Sequence, residues 1–79
     1  MTDGEIRDEI RRLAELRNSS KTFCPSEVAR ALAEEWRPLM ERVRQVAAEE
    51  ARAGRLLVLQ KGVQVELSVA RGPIRLRKP

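Results

Sequence analysis

The side chains with chemistry to offer in this sequence are mostly cations. Arg37, Arg42, Arg44, Lys61, Arg71, Arg75 and Arg77 can donate to phosphate oxygens. An arginine can also bind a guanine edge through two parallel hydrogen bonds. Gln45 lies beside Arg44 as a polar residue able to touch a base. These eight residues form the expected nucleic-acid interface. Glu41, next to Arg42, would repel a phosphate backbone unless it reads a cytosine amine.

Other chemistries have little to work with. There is no histidine, so any site that needs one is excluded. A single cysteine cannot pair within its own chain, and it leaves metal binding to scattered carboxylates. Cys24 stands just before Pro25, where a helix N-terminus would favour a thiolate. With no histidine partner it reads as a packing residue. Gly4, Gly54, Gly62 and Gly72 are isolated, so no glycine-rich phosphate loop exists. Glu34/Glu35 and Glu49/Glu50 are adjacent on helices, point apart, and read as solvated. The chain is therefore expected to be non-enzymatic, with no cofactor, metal or small-molecule substrate.

The charge is unevenly spread. Residues 1–35 carry six basic and eight acidic side chains, and residues 36–79 carry ten basic and four acidic, giving +4 overall. A basic half points to a polyanion. The surplus is greatest over residues 54–79, where six cations face Glu66 alone. At 79 residues only one domain, spanning 1–79, is possible. The 20 Ile, Leu, Val and Phe residues are enough for a thin core. Leu56-Leu57-Val58-Leu59 is far short of the ~20 residues of a membrane span. The acidic N-terminus does not read as a signal peptide, so a reducing cytoplasmic setting is expected.

The elements that must position these cations follow from periodicity. Thr2 and Glu5 form a capping box, and Ile6, Ile10, Leu13 and Ala14 recur at helical spacing, predicting a helix over about 4–17. Asn18-Ser19-Ser20 ends it. Thr22-Phe23-Cys24 is a short apolar stretch suited to a small strand. Pro25 opens a second helix, with Val28, Ala29 and Leu32 as its stripe. Trp36, at the junction with the third helix, reads as a core residue. Pro38 starts the third helix, over about 38–53, with Leu39, Val43, Val46 and Ala47 on one face and Gly54 as its left-handed stop. Beyond it, Val63, Val65, Leu67 and Val69 alternate with polar residues as a strand does. Lys61-Gly62 is the turn before them. Two closures are open: 55–60 with 63–68, or 55–60 with 74–77 around a long wing, the second being favoured for the sheet's centre. Three helices with a trailing hairpin make an α+β winged helix-turn-helix.

The run Cys24-Pro25-Ser26-Glu27-Val28-Ala29-Arg30-Ala31-Leu32 carries a resemblance. So do Trp36-Arg37-Pro38-Leu39-Met40, Val43-Arg44, Gln60-Lys61-Gly62 and Arg71 to Arg77. Together, over about residues 6–78, they resemble the bacterial family called domain of unknown function 3253. The resemblance implies a small winged-helix-like bacterial domain and brings no established activity or site residue. Gln64 to Val69 departs from the Asp-Pro-containing wing that the family implies.

Two functions compete on this basis. In a helix-turn-helix the second helix enters the major groove, which makes double-stranded DNA the expected partner of helix 38–53 and the basic wing. That helix has three arginines and three glutamates, a balance that also suits a protein partner or a homodimer.

Overall fold

The computed structural model describes residues 1–79, the Ser19 side chain excepted. Helix α1 spans Asp3–Arg17. Its capping box is formed: the Thr2 hydroxyl accepts from the Glu5 amide at 3.1 Å, and the Glu5 carboxylate accepts from the Thr2 amide at 3.1 Å. Ile6, Ile10, Leu13 and Ala14 are buried. A 3₁₀ turn over Asn18–Ser20 follows. Helix α2 spans Pro25–Leu32, with Pro25 in its first turn and Val28 and Ala29 buried. The Glu27 carboxylate reaches back to the Cys24 amide at 2.8 Å.

Helix α3 spans Met40–Arg52, later than Pro38 suggests. Arg37–Leu39 instead form a 3₁₀ turn, closed by the Leu39 amide donating to the Trp36 carbonyl at 3.0 Å. Pro38 is the second residue of that turn, where its missing N–H leaves no hydrogen bond unmade. Gly54 ends the third helix at φ 80°, the left-handed geometry that glycine adopts without strain.

The sheet resolves the two closures by using both. Strand β1, Leu57–Gln60, is central, flanked by β2, Val63–Gln64, and β3, Arg75–Arg77, in the order β2-β1-β3 with both pairs antiparallel. Gln60 pairs with Val63, so the connection is the two-residue turn Lys61-Gly62. Both turn residues have positive φ, 53° and 80°, as the twist of a tight hairpin requires. Leu57, Val58 and Leu59 pair with Arg77, Leu76 and Arg75. Phe23 adds a bridge to Leu76, with reciprocal hydrogen bonds of 2.8 and 2.7 Å.

The strand expected through Val69 stops early. Val65 still donates to Val58 at 2.9 Å, but the amides of Val69 and Ala70 then turn back onto the Glu66 carbonyl. The partner strand explains this, because β1 begins just after the α3 stop and has little left to offer residues beyond Val65. Leu67 is buried from within the turn, while Val69 is 75% exposed.

The core joins the helices to one face of the sheet. Ile6, Ile10, Phe23, Val28, Val43, Val46, Val58, Ile74 and Leu76 are each 2% exposed or less. Trp36 is not among them. It lies half-buried at the edge of the core, because the chain around it is a surface turn that brings two arginines onto its ring. The α+β arrangement of three helices and a small C-terminal sheet is compatible with a winged helix. No helix is long and apolar enough to cross a membrane.

Candidate nucleic-acid interface

The function of the cations depends first on which ones already have partners. Every arginine of α1 is held by a carboxylate: Arg7 by Glu49 and Glu50, Arg11 by Glu50, Arg12 by Glu9 and Arg17 by Glu27. Glu50 is the node of this network. Its sequence context suggests a solvated carboxylate, yet it is 1% exposed and receives Arg7 and Arg11 at 3.0 Å and Arg55 at 2.5 Å. Its position on α3 explains the burial, since it falls on the same face as Val43, Val46 and Ala47. A buried carboxylate survives only when paired, and three guanidinium groups supply the pairing. Burial by itself would push its pKa up. The hydrogen bonds from Arg55 and Arg11, with their charges, outweigh that and hold it below the usual glutamate value.

The expected interface residues fall into three settings. Arg44 and Gln45 lie with Arg52, Ala48, Leu67 and Ser68 around a groove of about 390 Å³ on the outer face of α3, bordered by Glu41 and Glu49. Lys61, Arg71 and Arg75 line a second cleft, of about 630 Å³, with Gln60 and Pro73. Arg37, Arg42 and Arg77 belong to neither. Arg42 Nη2 lies 2.8 Å from the Asp3 carboxylate, so its charge faces α1. Arg37 rests on the Trp36 ring, its guanidinium carbon 4.5 Å from the centroid, as is that of Arg30. Arg77 is half-buried on β3 opposite Leu57.

The basic surplus of residues 54–79 is smaller in the folded molecule than in the sequence. Arg55 is committed to Glu50, and Lys78 lies 2.9 Å from Glu15. Arg75 is bound by neutral acceptors, its Nε donating to the Thr22 hydroxyl at 3.0 Å and its Nη2 to the Thr22 carbonyl at 3.1 Å. Among the described residues, Arg44, Arg52, Lys61 and Arg71 have no carboxylate within salt-bridge distance.

Two further polar residues take part in these surfaces beside the eight expected ones. Arg52 is one: it lies further along the exposed face of the third helix, where positions 44, 45, 48 and 52 fall together. Gln60 is the other. Its side-chain amide donates to the Arg71 and Pro73 carbonyls, the latter at 3.3 Å, and ties the two ends of the 61–74 arm together. No local pattern announces an interaction across 11 to 13 residues. Among the described residues no group of three His, Cys, Asp or Glu side chains could hold a metal ion.

No curated protein matches the chain. The model of the family described as "protein of unknown function (DUF3253)" matches residues 3–79, nearly the whole length, and the chain belongs to that family.

Proposed function

We propose that this protein is a non-enzymatic, winged-helix-like DNA-binding module. The outer face of α3 presents Gln45 to the major groove of a duplex, with Arg44 and Arg52 at the phosphates that border it. The 61–74 arm, acting as a wing, brings Lys61 and Arg71 to phosphates. The observation that carries this reading is the sorting of the cations. Those of α1 are neutralised within the fold, whereas those on the outer face of α3 and on the arm are left to attract an anion. Glu49 weakens the case less than its charge suggests, because Arg7 holds it at 2.9 Å. A cytoplasmic setting, consistent with a lone thiol, is part of the proposal.

The test is a titration with duplex DNA over a range of salt. Four phosphate contacts give a slope of about −3.6 in log affinity against log salt. Absence of binding at about 50 mM salt, where non-specific attraction is strong, would overturn the proposal.

A protein-docking or homodimer role is the second reading. It rests on β2, which is paired on one side only and carries Val63, 65% exposed. An open strand edge with apolar side chains is a template for pairing. A stable dimer that ignores DNA would favour it.

A further inference from the structure

The cleft at the base of the arm has features that a solvated patch of cations lacks. Its lining, Gln60, Lys61, Arg71, Pro73 and Arg75, includes three cationic residues and no carboxylate. Its walls are fixed. The Lys61-Gly62 turn is a tight two-residue hairpin, Gly72 bends the opposite wall at φ 85°, and the Gln60 amide links the two. Arg75 is held by Thr22 through neutral oxygens, so its hydrogen bonds orient it without cancelling its charge. Glu27 feels that charge, but its carboxylate is already bound by Arg17. The volume, about 630 Å³, lies within the ~300–1,000 Å³ typical of ligand pockets.

We infer that this cleft is an oxyanion site for a phosphate group, whose negative charge the three cations of its lining would meet. Lys61 and Arg71 act as donors with no carboxylate partner to displace among the described residues. Arg75 acts as a pre-oriented third charge, and Gln60 is a positioning residue that keeps the walls at one spacing. The phosphate can come from a phosphorylated small molecule or from a nucleic-acid strand. Only the second source rests on the DNA-binding reading.

Inorganic pyrophosphate is the probe, followed through backbone amide shifts of the whole chain. The expected result is saturable movement of Lys61, Gly62, Arg71 and Gly72, with Gln45 and Ala48 on α3 unmoved. The variant Lys61→Asn with Arg71→Gln should weaken binding about tenfold or more, the loss that charge-assisted hydrogen bonds carry. Asparagine at 61 tolerates the positive φ there, and retained amide dispersion shows that the variant is folded. Gln60→Ala, with every cation in place, should also weaken binding. Shifts that fail to saturate, that are as large around Lys21 and Arg30, or that survive in the double variant would overturn the inference. Duplex DNA provides the second arm. Displacement of pyrophosphate by the duplex assigns the cleft to strand phosphates, and duplex binding without displacement assigns it to a small molecule. Pyrophosphate saturation with no duplex binding sinks the DNA reading alone. Duplex binding without pyrophosphate saturation sinks this inference alone.

Discussion

Arg55 places its Nε 2.5 Å from Oε2 of Glu50, across the bend where α3 gives way to β1. The same bend is closed by the Arg55 amide donating to the Glu50 carbonyl at 3.0 Å. One residue pair thus fixes the exit of the chain from the helix twice, through side chain and backbone. With Arg7 and Arg11 on the other carboxylate oxygen, the node also ties α1 to α3.

Glu50→Gln should therefore destabilise the protein. The amide keeps the shape but faces three arginines with no charge to offer. A fully buried pair broken in this way costs about 3–5 kcal/mol. Here Arg11 and Arg55 are about half exposed, 49% and 53%, and water can recover part of their solvation. A loss of about 1–3 kcal/mol is expected, with the melting temperature falling about 4–8 °C for each kcal/mol. A melting temperature equal to that of the wild type would mean that the network contributes only specificity.

Acid should act through the same carboxylate. Glu50 in the folded state lies below its ordinary value, as does Glu27, where burial is outweighed by the hydrogen bonds from Arg17 and from the Cys24 amide. A group whose pKa is depressed by folding contributes stability above its unfolded value, and that contribution is lost as pH falls through the folded one. Stability should hold at neutral pH and decline below about 4.3, the ordinary glutamate value. Thermal melts at falling pH test this. In Glu50→Gln the decline should be shallower, so the two melting curves converge in acid; a constant gap would exclude Glu50 as the titrating group.

Trp36→Ala should be milder than the loss of a core tryptophan, which costs about 3–5 kcal/mol. The ring is half-buried, and the two stacked guanidinium groups add about 0.5–1 kcal/mol each at an exposed site. We expect a loss of about 2–3 kcal/mol in urea denaturation followed by far-ultraviolet circular dichroism. Arg30→Ala and Arg37→Ala should each reproduce a fraction of it. Complete unfolding of Trp36→Ala would show that the ring supports the core directly.

Much of this architecture is legible in the residues. Local signals are reliable here: the Thr2–Glu5 box, Pro25, Gly54 and the Lys61-Gly62 turn each act within four residues of themselves. Relationships across the chain are not legible in the same way. Glu50 resembles one of a solvated pair because Arg7 and Arg11 are about 40 positions away, and nothing local predicts that they converge. Arg42 resembles an interface residue because helical phase alone does not say that Asp3 waits beside it. The alternation through Val69 promises a strand, but a strand also needs a neighbour, and the partner ends first. The candidate site is legible as a set of residue types and becomes two surfaces only once the fold has assigned partners to the other cations.

That assignment separates arginines on one helix by what they can still bind. Arg44 and Arg52 face the groove with no carboxylate partner, whereas Arg42 is held by Asp3 at 2.8 Å. Removing one phosphate-binding cation should flatten the salt dependence of duplex binding by about one unit. Arg44→Ala with Arg52→Ala should therefore flatten the slope by about two units. Arg42→Ala should leave it unchanged and cost only about 0.2–1 kcal/mol of stability, as exposed ion pairs do. Fluorescence anisotropy of a labelled duplex at several salt concentrations measures the wild type and both variants. A slope that responds to Arg42→Ala and not to the double variant would place the α1-facing flank of α3 against the DNA and turn the proposed interface by about a third of a helical turn.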